Sequence, residues 1–259
     1  MAIIWGLALV LPPAVDWHTA FRPAALKLIT GHSPYEVEGF FNPFWGLLPL
    51  IPIAILPEQL SRAALFVVSL ITFAYTARQM GAKLAAVLAL LLSPPVMHGL
   101  LNGNIDWLVI VGVILPPQLG LFFVTIKPQI GVAIGIFWVV EAWREGGWRQ
   151  VVRLLWPITL IFSLSIVLFG WWPLRSSKEI DLWWNASLWP MSIPVGLVLL
   201  TTAIRKRKIN YAMGASPCLS PYILLHSWVI ALFAIINLLP ELVIAVIGLW
   251  ILVFIQWMG

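Results

Sequence analysis

The chain has 259 residues, of which 61% are hydrophobic and 10% are charged, whereas an ordinary soluble domain has about 25% charged residues. This composition excludes a water-soluble globular protein, because most of the apolar surface would face water. The net charge of +5 does not indicate nucleic-acid binding, since the basic residues lie beside apolar segments. The single cysteine, Cys218, excludes a disulfide framework and a cysteine zinc site.

The apolar segments predict helices rather than the strands of a membrane barrel. Residues 195–204 and 238–255 are long, predominantly apolar stretches and lack the period-two alternation of barrel strands. Helices satisfy their own backbone groups, as lipid requires. We therefore predict an all-α fold, a polytopic transmembrane helical bundle of about 7–10 membrane helices, some of them short, broken or re-entrant. Residues 1–259 form a single integral membrane domain in this prediction, with external loops at about residues 16–41 and 170–190.

The first predicted elements are a membrane helix and a surface helix. Residues 2–15 are apolar but lack a basic amino-terminal region and a cleavage site of small residues, so they predict a retained first helix rather than a signal peptide. Residues 20–30 place apolar side chains on one broad face and Arg22 and Lys27 elsewhere, which is typical of an amphipathic helix lying on the membrane surface. Gly31 is suited to end that helix.

Two later segments do not fit simple membrane spans. Residues 42–57 carry four prolines, and because proline removes a backbone donor, a re-entrant or interfacial element is expected there. Residues 105–126 are interrupted by Pro116 and Pro117, which leaves two halves of about 10 residues, whereas a span needs about 20. This second segment is either a hairpin of short helices or one kinked span, and the sequence leaves both alternatives open.

The basic residues predict the orientation of the chain in the membrane. Clusters within residues 144–153 and at residues 205–208 lie beside apolar segments, and an excess of Lys and Arg marks cytoplasmic loops. The loop at residues 170–190, which includes Trp183 and Trp184, is then external. Polar residues collect on the same external side: Asp16, His98, Asn102, Asn104, Asp106 and Lys127. We predict a multi-pass protein of the cell (inner or plasma) membrane whose active face is extracytoplasmic.

Ionisable residues at membrane depth or at the ends of spans are candidates for function, because such positions are costly for a charge. Asp16 follows fourteen residues without a charge. It is either an interfacial charge that ends the helix or a general base at the outer surface. Lys127 lies in an apolar stretch. It either extends to the interface or faces a cavity and binds an anion such as phosphate.

Further polar side chains are candidates for substrate binding. Residues 98–106 offer donors and acceptors among glycines that permit turns, and the ordinary alternative is a polar surface loop. The candidates there are His98, Asn102, Asn104 and Asp106. His226 lies in an otherwise apolar segment, where a histidine is as often a packing residue as a catalytic one. The sequence has no HExxH, Walker or GxSxG motif and no paired-histidine pattern, so neither a metal nor a cofactor is predicted.

Several short motifs occur in one order along almost the whole chain. They are Asp16-Trp17, Phe21-Arg22-Pro23-Ala24-Ala25-Leu26, Gly31-His32-Ser33-Pro34-Tyr35, Phe41-Asn42-Pro43, Ser93-Pro94-Pro95, Asn102-Gly103-Asn104, Lys127-Pro128-Gln129, Asn185-Ala186-Ser187-Leu188 and the segment 216–222. With them the chain resembles the GT-C membrane glycosyltransferases that use polyprenyl-phosphate sugars, in particular the polyprenyl-phosphate-mannose-dependent α-mannosyltransferases. It resembles a short, reduced member, and it has Ile223 and His226 where that family often has an acidic residue.

The resemblance implies a GT-C-like bundle and a metal-independent hexosyltransferase. Such an enzyme transfers a sugar, here expected to be mannose-like, from a polyprenyl-phosphate-linked donor to an acceptor glycan, glycolipid or protein on the outer face of the membrane. Asp16 matches the place of the family's catalytic base, which activates the acceptor hydroxyl. Lys127, with Arg22 or Lys27, is expected to stabilise the charge of the leaving phosphate.

A second class of function is an alternative on the same residues. The chain would then be a non-catalytic membrane scaffold or accessory subunit derived from this family, which holds a membrane protein partner with its aromatic-rich outer loops. A small transporter has less support, since the sequence shows neither paired intramembrane charges nor an inverted repeat. The partners expected of the enzyme are the lipid-linked sugar, membrane lipids and the acceptor, and nucleic acid is not among them.

Overall fold

A computed structural model of the chain describes residues 2–176 and 185–258, and these residues contain fourteen α-helices and no β-strand. The helices are α1 (Ala2–Val10), α2 (Arg22–Ile29), α3 (Ile51–Ala54), α4 (Glu58–Gln79), α5 (Leu84–Leu91), α6 (Pro94–Asn102), α7 (Asp106–Gly112), α8 (Pro117–Val124), α9 (Pro128–Phe169), α10 (Trp172–Ser176), α11 (Ile193–Lys206), α12 (Ile209–Cys218), α13 (Val229–Ala234) and α14 (Leu239–Met258). The all-α prediction is confirmed for this part of the chain. Trp183 and Trp184, for which the sequence predicts an external loop, lie outside the described residues.

Three of the described helices are long and apolar enough to cross a membrane, judged by length and composition. They are α4, α9 and the Leu239–Gln256 part of α14. Helices α5 and α6 meet the same test only as a pair, and they are bent by 58° at the break between them. Counting that pair as one span gives four in the described part of the chain. These helices support a membrane protein, and the larger number of about 7–10 membrane helices stays a prediction.

The outside of the described helices is apolar. Val10, Val167 and Met191 are 75%, 81% and 88% exposed, and Ile244 and Phe254 on α14 are also exposed. Soluble proteins rarely expose large contiguous apolar patches, whereas lipid tails tolerate such surfaces. The exposed side chains therefore agree with the membrane character that the composition predicts.

Helix α9 is interrupted near its middle. Gly147 has φ +57° and ψ −147°, a backbone conformation that residues with a Cβ rarely adopt, and the helix is kinked there. The break, at Gly146 and Gly147, lies within the basic cluster at residues 144–153. The two helical parts of α9 are therefore joined there by a kink rather than by an extended loop.

Residues 105–126 form two short helices, α7 and α8, rather than one kinked span. The helices pack against each other where glycines allow a close approach. A Cβ on Gly112 would lie 2.5 Å from the Cβ of Phe123, and a Cβ on Gly120 would lie 2.6 Å from the carbonyl oxygen of Gly112. Of the two alternatives for this segment, the hairpin of short helices is the observed one.

Residues 42–57 are irregular, as their four prolines predict. They form two 3₁₀ turns, Phe44–Gly46 and Leu48–Leu50, before the single turn of α3. The indole of Trp45 donates a hydrogen bond to the carbonyl oxygen of Phe122 at 2.9 Å. The segment is therefore tied to α8.

The two amino-terminal helices form where the sequence predicts them, but each is shorter than predicted. Helix α1 ends at Val10, before the predicted end at residue 15. A π-helical turn, Trp17–Phe21, leads into α2, which occupies most of residues 20–30. Gly31 has φ +79° and follows the end of α2, as expected for a residue that terminates a helix.

Candidate functional site

A cavity of about 2090 Å³ lies among the turn after α1, the α6–α7 connection, the start of α9 and the loop before α13. Six of its polar lining residues, here called the polar wall, are Asp16, His98, Asn102, Asn104, Lys127 and His226. Four of its aromatic lining residues, here called the aromatic wall, are Tyr35, Trp45, Phe162 and Trp172. Six of the nine site residues predicted from the sequence therefore line one cavity.

Asp16 reaches the polar wall because Gly103 has no side chain. Gly103 follows α6 with φ +68°, and a Cβ there would lie 2.6 Å from the Cβ of Trp17. The indole of Trp17 donates a hydrogen bond to Oγ of Ser61 at 3.0 Å, which ties this turn to α4. The turn after α1 therefore lies directly against the α6–α7 connection, and Asp16 lies beside Asn104.

Asn104 connects Asp16 to Lys127. Its amide nitrogen Nδ2 donates a hydrogen bond to Oδ2 of Asp16 at 2.6 Å. Its Oδ1 accepts hydrogen bonds from Nζ of Lys127 at 2.5 Å and from the backbone N–H of Asp106 at 3.2 Å. Because two donors meet Oδ1, the amide must present its NH₂ group to Asp16.

Asp106 carries the countercharge of Lys127 and does not itself line the cavity. Its Oδ1 lies 2.6 Å from Nζ of Lys127, and each side chain is 4% exposed. Its Oδ2 accepts a hydrogen bond from Oγ of Ser227 at 3.0 Å and lies 3.7 Å from Nε2 of His226. The positive charge that Lys127 brings to the cavity is therefore already balanced.

Two histidines complete the polar wall. The rings of His98 and His226 stack with their centroids 5.5 Å apart, and their Nδ1 atoms lie 3.3 Å apart. One ring then donates and the other accepts. A Cβ on Gly99 would lie 3.2 Å from the Cβ of His226, so the glycine permits this close approach. Nδ2 of Asn102 lies 3.1 Å from Nε2 of His98, which continues the line of polar groups along α6.

Arg22 and Lys27 do not line the cavity. Arg22 donates from Nε to the carbonyl oxygen of Ala54 and from Nη2 to that of Leu56, both at 3.2 Å, so it ties α2 to the end of α3. Lys27 pairs with Glu36 at 2.7 Å on the surface. The hydrogen bond from Lys27 holds the pKa of Glu36 below its ordinary value. Both predicted phosphate ligands therefore have protein partners, and Lys27 reaches the cavity only through Glu36, which lines it.

The aromatic wall has no signal in the sequence. Tyr35 and Trp172 stack with their ring centroids 4.8 Å apart and 9° between the ring planes. Phe162 on α9 contacts both Trp172 and Trp45 edge to face, with centroids 6.3 and 6.4 Å away. The four residues come from two distant regions of the chain, residues 35–45 and 162–172, so the sequence alone does not predict that they meet. Together they form a continuous apolar surface that reaches the long helix α9.

Two hydrogen-bonding residues of the site were also not predicted. Ser227 follows His226 and has no distinguishing context in the sequence. Tyr35 accepts a hydrogen bond from the backbone N–H of Phe44 at 3.1 Å. Burial raises the pKa of Tyr35 above its ordinary value of 10.0, and this hydrogen bond opposes the shift only in part. The phenol is therefore protonated at neutral pH. Its O–H group can donate a hydrogen bond to a sugar hydroxyl or to a phosphate oxygen.

The arrangement suits acid–base chemistry beside an apolar surface. Asp16 can accept a proton, the rest of the polar wall can bind hydroxyl groups, and the aromatic wall can hold a sugar face or an apolar chain. Neither a protein-family model, nor a curated protein, nor a solved structure matches this chain.

Proposed function

We propose that the chain is a membrane glycosyltransferase of the GT-C type. It transfers a sugar, mannose-like in this proposal, from a polyprenyl-phosphate-linked donor to an acceptor on the extracytoplasmic face of the cell membrane. A polytopic GT-C-like arrangement, with more crossings than the three long helices, is part of the same proposal. The observation that carries it is the position of Asp16, whose carboxylate lines the cavity and is held by Asn104 at 2.6 Å.

The proposed reaction is an inverting displacement. Asp16 accepts the proton of the acceptor hydroxyl as the acceptor oxygen forms a bond to the anomeric carbon of the donor sugar. The bond between that carbon and the phosphate oxygen breaks, and its electron pair leaves with the polyprenyl phosphate. One carboxylate is sufficient, because the lipid phosphate is already a good leaving group and needs no general acid.

The size and lining of the cavity support a lipid-linked substrate. Its volume of about 2090 Å³ exceeds the roughly 300–1,000 Å³ of ordinary small-molecule pockets, so a donor headgroup and an acceptor could lie side by side. The aromatic wall includes Phe162, which is 41% exposed on the membrane helix α9. An apolar chain that entered from the lipid would therefore meet apolar side chains before it reached Asp16.

The basic residues support the proposed orientation. Arg207, from the cluster at residues 205–208, pairs with Glu141 at 2.6 Å. Arg144, from the other cluster, pairs with Glu141 and donates a hydrogen bond to the carbonyl oxygen of Ile204. The two basic clusters therefore meet in one place, and neither arginine lines the cavity. This separation agrees with a cytoplasmic basic end and an extracytoplasmic catalytic face.

Replacement of Asp16 tests the proposal. In proteoliposomes supplied with polyprenyl-phosphate mannose and a panel of acceptors, Asp16→Asn is expected to lower the rate of sugar transfer by about 10²- to 10⁴-fold, the usual contribution of a general base. Glu58→Gln is the matched control, because Glu58 is a carboxylate that pairs with His18 at an exposed position outside the cavity. The control should retain the wild-type rate.

Two results would contradict the proposal. Full transfer by Asp16→Asn would remove Asp16 from the role of base. No transfer by the wild type from any polyprenyl-phosphate sugar, together with a stoichiometric membrane protein that co-purifies with the chain, would instead favour the accessory-subunit alternative.

A further inference from the structure

We propose that Lys127 positions the catalytic carboxylate through Asn104 and is not a ligand of the donor phosphate. This inference rests on the proposed function, in which Asp16 is the general base. It assigns Asn104, Lys127 and Asp106 to one positioning unit, which holds Asp16 at the wall of the cavity.

The charge of Lys127 is already balanced within the protein. The ammonium group of Lys127 lies 2.6 Å from Oδ1 of Asp106 and 2.5 Å from Oδ1 of Asn104, and the lysine and aspartate side chains are each 4% exposed. An ammonium group has three donors, and these two contacts engage it with a full countercharge and a polar acceptor. A phosphate would have to compete with a buried carboxylate that already balances the charge. The geometry therefore directs the lysine towards Asn104 rather than towards an anion in the cavity.

The orientation of the Asn104 amide is set by the donors around its oxygen. An asparagine can present either its oxygen or its NH₂ group to a neighbour, and only the NH₂ group is compatible with the carboxylate of Asp16. Lys127 and the backbone N–H of Asp106 both donate to Oδ1 of Asn104. With Oδ1 so engaged, Nδ2 must face Asp16, where it donates at 2.6 Å. Lys127 and the backbone N–H of Asp106 together therefore fix which atom of Asn104 meets the base.

Asp106 offsets the free-energy cost of burying the charge of Lys127. It neutralises Lys127 and is itself supported by Oγ of Ser227 at 3.0 Å. None of these contacts requires a substrate, so the unit is complete before the substrate binds. Such preorganisation matters for catalysis, because misplacement of a reacting group by about 1 Å can cost about 100-fold in rate.

The test uses the full chain in proteoliposomes and a variant without a lone buried charge. Because Lys127→Met alone would leave Asp106 unpaired, the variant combines Lys127→Met with Asp106→Asn. Two quantities are measured: kcat for sugar transfer at saturating donor and acceptor, and the Kd for polyprenyl phosphate, the leaving product. We expect kcat to fall about 10- to 100-fold, while the Kd changes less than about twofold, since no phosphate contact is removed. Lys83→Met, at the exposed start of α5, is the control and should change neither.

A second variant, Asn104→Leu, tests the route through the amide without altering a charge. It should lower kcat by a similar factor. The triple variant, which combines Asn104→Leu with Lys127→Met and Asp106→Asn, should be no slower than Asn104→Leu alone, because the effects of residues that act as one unit do not add. If the losses multiply instead, Lys127 acts by another route and the proposal is overturned.

An increase of about 10-fold or more in the Kd for polyprenyl phosphate, with kcat maintained, would identify Lys127 as a phosphate ligand and also overturn the proposal. Sugar transfer by the wild-type chain shows whether the proposed function holds, independently of the role of Lys127. A wild type that transfers no sugar overturns the proposed function, and the positioning role falls with it.

Discussion

Two clusters of paired charge lie at different depths in this protein. Lys127 and Asp106 pair at 2.6 Å beside the cavity, with each side chain 4% exposed. Glu141 pairs with Arg207 at 2.6 Å and with Arg144 at 2.8 Å, and these arginine side chains are 57% and 39% exposed. The distances are nearly equal, so the clusters differ mainly in their access to water.

That difference separates the tasks that the two clusters can perform. An exposed ion pair is screened and contributes little to stability, but it can tie two helix ends together, as Glu141 does for α9 and the end of α11. A buried pair loses the hydration of both charges, and apolar residues in its place are often as stable. The pair formed by Lys127 and Asp106 is therefore better explained by the orientation of Asn104 and Asp16 than by stability.

The largest expected effect is the separation of the buried pair. Lys127→Met alone should lower the free energy of unfolding by about 3–5 kcal/mol, because it leaves Asp106 buried without a countercharge. Adding Asp106→Asn should restore most of that loss. Unfolding of the purified chain in mixed micelles, followed by tryptophan fluorescence, measures both variants.

Equal free energies of unfolding for Lys127→Met and for Lys127→Met with Asp106→Asn would contradict the distinction between the buried and the exposed cluster. Equal stability would mean that Asp106 does not need Lys127, and that the buried cluster behaves like the exposed one.

An intermediate effect is expected at Ser227. Ser227→Ala removes a hydrogen bond to the Asp106 carboxylate and should cost about 1.5–3 kcal/mol, the range for a hydrogen bond to a charged group. Ser93→Ala is the matched control, because Oγ of Ser93 is buried without a hydrogen-bond partner, and its removal should not lower stability, since a buried polar group without a partner is unfavourable. The same unfolding measurement applies. Similar losses in both variants would show that burial, rather than the contact with Asp106, sets the cost.

The sequence predicts part of this site because buried charge is costly. Asp16, Lys127 and His226 stand out as polar residues in apolar stretches, and all three line the cavity. The pairing of Lys127 with Asp106 was not predicted, because it depends on the backbone of the α6–α7 connection and on the hairpin that follows. Two contacts of Lys127 that the composition could not indicate thus change its inferred role from phosphate binding to positioning.

The fold, like the site, is predicted only in part by the sequence. The apolar runs predict helices, and the described residues are all-helical. Proline positions predict breaks, but they do not decide between a kink and a hairpin, since that depends on whether α7 and α8 can approach each other. Gly112 and Gly120 permit the approach, and a single sequence does not distinguish glycines that pack from glycines that only bend the chain. The role of Arg22 could not be predicted from the sequence, because its partners are backbone carbonyl oxygens and these are present at every residue.

The smallest effect is expected in the exposed cluster. Arg207→Ala removes a contact with Glu141 and should cost at most about 1 kcal/mol, because the arginine side chain is 57% exposed and Glu141 keeps Arg144 as a partner. Salt at 1 M, where the Debye length is about 3 Å, should reduce even this difference, and sugar transfer should stay at the wild-type rate. Arg207→Lys keeps the charge and serves as the control in the same micelle titration at low and high salt. A larger loss that salt does not reduce would place this cluster beside Lys127 and Asp106 in energy, and exposure would no longer account for the difference between them.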